Sequence, residues 1–141
     1  MARITWAGVP KDGTARKAVR KEIRENLKEA HVSEFLVCSD RAADQKARTR
    51  VRVSLWAFRP EFIGRHTKGR PLDKRATDAL GEPQEKLCED SNELIFSMLS
   101  SFKSFWREAV AADGRGHFLS SWDGNEHEVR VNGVSYFIYR N

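Results

Sequence analysis

Asn132-Gly133, set between Glu-His-Glu-Val-Arg-Val and Val-Ser-Tyr-Phe-Ile-Tyr, leaves the end of this chain few choices. A two-residue type I′ loop needs positive φ at both central positions, which Asn and Gly tolerate, so the flanking runs are predicted to pair as an antiparallel hairpin. Asp123-Gly124-Asn125 supplies a second, looser turn. Gly114 to Trp122 then reads as a further strand, and a three-stranded meander from Gly114 to Asn141 is expected to close the chain.

With 141 residues, 40% of them hydrophobic, the chain has enough apolar material for one domain over 1–141 that needs no disulfide or metal staple. Cys38 and Cys88 are far apart in sequence, and no apolar signal core follows Met1. Both are expected to be buried, reduced thiols of a soluble, cytoplasmic protein. No apolar run approaches the roughly 18 residues a membrane span needs, so no membrane is expected as a partner.

Charge is unevenly distributed. From Met1 to Arg75 there are 19 Lys and Arg against 9 Asp and Glu, a net of +10, and from Ala76 to Asn141 there are 6 against 11, a net of −5. A basic face built from the first half is the electrostatic footprint of a polyanion site. Neutralisation of one half by the other across an internal contact is the structural alternative.

Ile4, Trp6 and Val9 with smaller residues between them read as a short strand ended by Pro10. Thr14 is placed to cap a helix running to about Ala30, whose apolar stripe is Val19, Ile23, Leu27 and Ala30. At 100° per residue Lys17, Arg20, Lys21, Arg24 and Lys28 share one flank and Glu22, Glu25 and Glu29 the other. Phe35-Leu36-Val37-Cys38 is apolar on both faces, as a central strand is, and Asp40 to Gln45 reads as a polar turn. Thr49 to Phe58 alternates. Val51, Val53 and Leu55 fall on one face, while Arg48, Arg50, Arg52, Trp56 and Phe58 fall on the other. As a strand this face would align guanidinium groups with a stacking platform, the arrangement that holds single-stranded nucleic acid. A helix covering Trp56 and Phe58 would instead leave only the arginines at the rim.

Arg59 to Pro71 is expected to be an irregular basic loop, because Pro60, Gly64, Gly69 and Pro71 interrupt it and Arg59, Arg65, His66, Lys68 and Arg70 line it. Its glycines do not fit a phosphate-binding P-loop. Leu72 to Leu80 reads as a short helix stopped by Gly81, with Pro83 opening a long one to about Ala112. The apolar face of that helix, from Leu87 through Leu94, Ile95, Met98, Leu99, Phe102, Phe105 and Trp106 to Val110, would pack on the sheet, and Gly114 would end it. The expected fold class is therefore α+β, a mostly antiparallel sheet ending in a three-stranded meander and packed by one long and one shorter helix.

No helix-turn-helix, RNA recognition motif, GXXG loop or zinc-finger spacing is present. The functional expectation rests on charge and aromatic placement alone. It is a small non-enzymatic nucleic-acid-binding protein without cofactors, favouring single-stranded DNA or RNA. Its contacts would be Arg48, Arg50, Arg52, Trp56, Arg59, Arg65, His66, Lys68, Arg70 and the flank Lys17, Arg20, Lys21, Arg24 and Lys28. A second class fits the same composition: a phage or mobile-element inhibitor whose basic face meets an acidic surface on a host defence or nucleic-acid enzyme. The third is a metal-dependent nuclease, since Asp123, Glu126 and Glu128 with His117 and His127 gather oxygen and imidazole ligands within a short stretch. Against it, Asp-Gly-Asn is ordinary turn chemistry and acids on a strand surface are usually solubilising.

Overall fold

The computed structural model describes residues 2–141, an α+β chain with one four-stranded sheet. In order the elements are β1 (Arg3–Ala7), α1 (Thr14–Glu22) continuing into a π-helical turn (Ile23–Leu27), β2 (Glu34–Ser39), α2 (Asp40–Val53), α3 (Pro60–Gly64) and α4 (Lys74–Leu87). There follow α5 (Asn92–Met98), α6 (Phe102–Asp113), α7 (Arg115–Leu119), β3 (His127–Val131) and β4 (Val134–Arg140). The chain forms two compact units, Met1–Ala47 with Asp113–Asn141, and Arg48–Ala112.

The first unit holds the sheet, ordered β1-β2-β4-β3. Its hairpin follows from the Asn-Gly pair: Asn132 and Gly133 have φ of 51° and 80°, and Val131 pairs with Val134 across them. The sheet is mixed, however, which corrects the expectation of a mostly antiparallel one: β1 and β2 run parallel, while β4 is antiparallel to both β2 and β3. The physical reason lies in the connection. A helix between β1 and β2 carries the chain back to the starting edge, so the second strand repeats the direction of the first. The three-stranded meander is also corrected to a hairpin, because Arg115 to Leu119 forms not a strand but the short helix α7. Gly116 shows why. A Cβ there would lie 2.6 Å from the Gly124 carbonyl oxygen, so the backbone of α7 packs directly on the Asp123-Gly124-Asn125 turn.

One sheet face supplies the core of this unit. Phe35, Val37, Tyr136 and Ile138 pack with Val19, Ile23 and Leu27 from the helix, and Ile4, Trp6, Val129 and Val131 extend the contact. Each fully buried aliphatic side chain of this kind contributes about 1.5–3 kcal/mol. The stripe repeats strictly every four residues, and an α turn carries each successive member about 40° round the helix. Widening the last turn to π pitch brings Leu27 back over the sheet. Ala30 is exposed, since the helix ends at Leu27 and Lys28 is already extended at ψ 125°. The cap is Gly13 at φ 94° rather than Thr14, which is the first helical residue.

The larger departures from the expected elements lie between Asp40 and Ala112. Asp40 to Gln45 is not a turn and Thr49 to Phe58 is not a strand: α2 runs to Val53 and a 3₁₀ turn follows over Leu55–Ala57. Ala43, Ala47, Val51 and Leu55 are all completely buried, a four-residue period that outweighs the period-two alternation of the shorter window. Arg59 to Pro71 is not wholly irregular either, because Pro60 occupies the first turn of α3. The expected stop at Gly81 is absent, and α4 continues through Gly81 and Pro83, its start fixed by the Asp73 carboxylate accepting from the Ala76 N–H at 2.8 Å. The single long helix to Ala112 is broken instead at Cys88, whose φ is 49°, and at Leu99, whose ψ is 136°. Ile95, Leu99, Phe105 and Ala109 are buried within a helical second unit, whose aromatic centre is Phe58, Phe62 and Phe105, with centroids 4.8 to 5.5 Å apart.

Two amides hold the chain between α2 and α3. Asn92 Nδ2 donates to the Val53 carbonyl at 2.7 Å and its Oδ1 accepts from the Trp56 N–H at 2.9 Å. Gln84 Nε2 donates to the carbonyls of Trp56 and Phe58 at 3.0 and 2.6 Å. These side chains satisfy backbone groups that the end of a helix leaves unpaired.

Two measurements check this fold. Gly133→Ala should lower stability by about 1 kcal/mol, because φ of 80° strains an L-residue. In urea the midpoint should fall with an unchanged slope, and an unaltered midpoint would refute the turn geometry. The cysteines give the second. Cys38 is buried and its thiol is pushed up to about 11 by burial, whereas Cys88 is exposed, which corrects the expectation that both are shielded. A chromogenic thiol reagent should titrate one equivalent in the native protein and two after denaturation.

Candidate nucleic-acid interface

Helical geometry disperses the face expected from Arg48, Arg50, Arg52 and Trp56. Arg48 and Arg52 lie one turn apart on α2, with Arg50 about 200° away from Arg48. The two that stay together both meet aromatic rings: the Arg52 guanidinium sits 3.9 Å from the Phe96 centroid and Arg48 5.7 Å from that of Phe102. Phe96 and Phe102 are 5.6 Å apart, so the second unit does carry two arginines beside two aromatics. Arg52 is partly spent, since Glu93 Oε1 lies 2.6 Å from its Nη2. Trp56 is half-buried in the 3₁₀ turn, and its backbone is tied to Asn92 and Gln84.

The segment expected to be a loose basic loop is pinned. The Thr67 hydroxyl lies within it 2.9 Å from the Arg70 carbonyl, to which it donates, and 3.3 Å from that of Gly64, and the Lys68 N–H donates to the Met98 carbonyl at 2.8 Å. Arg65 Nη2 and His66 Nε2 both approach Glu108, at 3.2 and 2.8 Å. His66 is enclosed by Phe62 and Phe105, which makes it part of the packing rather than of a surface. Arg59, Lys68 and Arg70 remain exposed.

The flank of α1 and its π turn keeps its predicted sorting. Lys17, Arg20, Lys21, Arg24 and Lys28 are all exposed, and none is in an ion pair among the described residues. Arg16, which the sequence reading passed over, joins them. Its guanidinium lies 4.9 Å from the Trp6 ring centroid and that of Arg20 5.3 Å from the same ring. Arg16 Nη2 also donates to the Val9 carbonyl at 3.3 Å. The aromatic partner sought at Trp56 is therefore present at Trp6, on an edge strand beside the cationic helix. Arginines on consecutive turns of a helix that packs over β1 were the available signal.

The acidic and imidazole residues do not gather into one site, although Asp123 and His127 meet at 3.6 Å. Glu126 accepts from the Tyr139 hydroxyl and from Arg115 Nε at 2.8 Å, while Glu128 accepts from Ser135. Burial, followed by the Glu126 contact, pushes the Tyr139 hydroxyl far above the usual tyrosine range. Arg115 Nη1 reaches Asp40 and Asp44 at 2.8 and 3.2 Å, so this arginine gathers three carboxylates. Asp123 forms a separate knot with Arg140, His127 and Ser120. Arg140 Nη2 lies 2.6 Å from Asp123 Oδ2 and 3.2 Å from His127 Nε2, and Nη1 donates to the Leu27 carbonyl at 3.2 Å. The buried Ser120 hydroxyl is spent on Asp123 at 2.8 Å, so it has no proton to share with His127 as a nucleophile would. His117 is exposed against Phe118, and no three such side chains form a metal-sized group among the described residues.

Asp123 shows what this knot does. Burial alone would raise its carboxyl, but the Asn125 N–H, the Ser120 hydroxyl and the Arg140 guanidinium outweigh burial and hold it well below the usual carboxylate range. A depressed pKa contributes stability that is complete above the unfolded value, about 3.9, and is lost as pH falls toward the folded one. Asp123→Asn should therefore cost about 3–5 kcal/mol at pH 7, the penalty of stranding a buried guanidinium. The gap from the wild type should narrow below pH 4 in urea titrations. A gap that is small or independent of pH would show that Arg140 has another counterion.

No family model matches the chain, and no curated protein or solved structure shows significant similarity to it.

Proposed function

We propose that the chain is a small non-enzymatic nucleic-acid-binding protein that contacts phosphates through the cationic flank of α1. The observation that carries this reading is the Trp6 ring shared by Arg16 and Arg20 beside four further exposed cations. Arginines resting on an indole are partly immobilised before they meet a ligand, so less side-chain entropy is lost on binding. Because the guanidinium groups already occupy the ring, the mode is phosphate contact rather than base stacking, and affinity should vary little with sequence. Single-stranded DNA or RNA remains the favoured ligand, and the exposed Arg59, Lys68 and Arg70 are the cations of the second unit open to the same role.

A second reading has an observation of its own. Val53, Leu87, Leu94 and Phe96 are large apolar side chains 39 to 50% exposed in the second unit. Such exposure favours a protein partner, as the inhibitor reading requires.

Salt titration separates the two. On a single strand the slope of log K against log salt should be about −0.7 per phosphate contact, and Lys21→Ala with Arg24→Ala together should flatten it by about 1.4. Arg20→Lys keeps the charge but loses the planar contact with Trp6. It should leave the slope unchanged and weaken binding about two- to fivefold. Binding that is negligible at physiological salt and unaffected by either variant would remove nucleic acid as the ligand and leave the protein-partner reading in place.

A further inference from the structure

We infer that the first unit carries a second anion site, distinct from the flank of α1, for the phosphate of a nucleotide. At the carboxyl ends of the parallel pair β1 and β2 lies a cavity of about 350 Å³ lined by Ala7, Gly8, Ser39, Arg41, Ala42, Gln45 and Lys46. That volume lies within the range of small-molecule sites. The carboxyl edge of parallel strands is also where open sheets with helical crossovers receive their ligands.

The chemistry of the lining is one-sided. It holds two cations, an amide and a hydroxyl, and no carboxylate. Neither Arg41 nor Lys46 is in an ion pair among the described residues, in contrast to Arg3, Arg115 and Arg140 of the same unit. The carboxylates near them have other partners. Glu34, which feels Lys46, is bonded by Arg3 and Thr5, and Asp40 and Asp44 are held by Arg115. Two positive charges therefore face one recess without a counterion from the protein.

The floor is shaped for close approach. Gly8 has φ of 72°, and a Cβ at that position would come within 2.3 Å of Ser39 Oγ and 3.3 Å of the Ala42 Cβ. With Ala7 and Ala42 beside it, the only long side chains at the recess are Arg41, Gln45 and Lys46. A phosphate between Arg41 and Lys46 is compensated by charge-assisted hydrogen bonds, and the small apolar residues accept the rest of the molecule. A mononucleotide carries the required dianion and is of matching size. The same group occurs free or at the 5′ end of a strand.

Titration of the full-length protein with adenosine 5′-monophosphate, followed by amide NMR, tests this. The expected result is saturable binding with shifts centred on Gly8, Ser39 and residues 41–46. Arg41→Ala with Lys46→Ala should weaken it about tenfold or more, as loss of charge-assisted bonds does. Both side chains project from the surface of α2, so the variant's folding is checked by its unchanged spectrum elsewhere. Lys21→Ala with Arg24→Ala should leave this binding intact, which separates the site from the nucleic-acid reading. Unsaturable binding, shifts elsewhere, indifference to the double variant, or equal binding of adenosine would each overturn the inference. A 5′-phosphorylated pentanucleotide that binds more tightly than both the monophosphate and its 5′-hydroxyl counterpart would assign the site to strand ends. Monophosphate binding at least as tight would assign it to free nucleotide.

Discussion

A strand buried on both faces must find hydrogen-bond partners along both edges, and β2 is that strand. Phe35 and Val37 enter the core beneath α1, and Leu36 and Cys38 are equally buried on the opposite face, so no water is available to its backbone. β1 satisfies one edge and β4 the other. Much else in the first unit follows from this demand. The partner nearest in sequence is reached through a helical crossover and so runs parallel, while the last strand returns antiparallel beside the hairpin that Asn132-Gly133 fixes. The closing residues are bound in turn: Arg140 is buried at the end of β4 with its guanidinium on Asp123 and on the Leu27 carbonyl, joining helix, turn and strand. A buried cation is costly to leave without its carboxylate, so the Asp123 contact resists displacement of the end of β4.

Local signals that admitted one interpretation were legible in the sequence. The hairpin, the central strand, the Gly114 break and the apolar stripe of α1 each rest on a pattern with no rival of comparable strength. Thr49 to Phe58 had a rival. Val51, Val53 and Leu55 alternate as a strand would, yet Ala43, Ala47, Val51 and Leu55 also mark one side of a helix, and the longer pattern prevails because alanine favours helix. A turn over Asp40 to Gln45 takes in Ala43, and a strand that starts at Thr49 leaves out Ala47, so the two alanines that decide the matter fall outside the alternating window. Gly81 and Pro83 misled for the opposite reason. Each weakens a helix locally, but packing of Leu80 and Gln84 into the second unit outweighs that cost. Gly116 was beyond sequence reading altogether, since the backbone it admits comes from the Gly124 turn.

The candidate site was legible to the extent that it depends on one element. Lys17, Arg20, Lys21, Arg24 and Lys28 share a flank because helical period alone dictates it. Arg48, Arg50 and Arg52 were assigned a common face through a strand that does not exist, and the helix keeps only the first and last of them together. Contacts made in space were invisible, among them Arg16 on Trp6, Arg48 on Phe102, and Arg41 beside Lys46 over Gly8.

Net charge was a poorer guide than pairing. The sequence halves carry +10 and −5, but the compact units do not follow those halves: the first has 13 Lys and Arg against 11 Asp and Glu, the second 12 against 9, so the two stand at +2 and +3. What distinguishes one cation from another is whether the fold has already used it. Arg115 is sheltered and holds three carboxylates, Arg140 is buried on Asp123, and Arg65 shares Glu108 with His66. To reach a ligand Arg115 or Arg140 would first have to abandon a partner in a sheltered, low-dielectric setting, at a cost of several kcal/mol, whereas the exposed Arg65 would give up little. The α1 flank pays no such penalty, and neither do Arg41 and Lys46, since their alternative partner is water. A polyanion meeting this chain is therefore drawn by the cations that the fold has not already engaged, the α1 flank and the pair Arg41 and Lys46 among them.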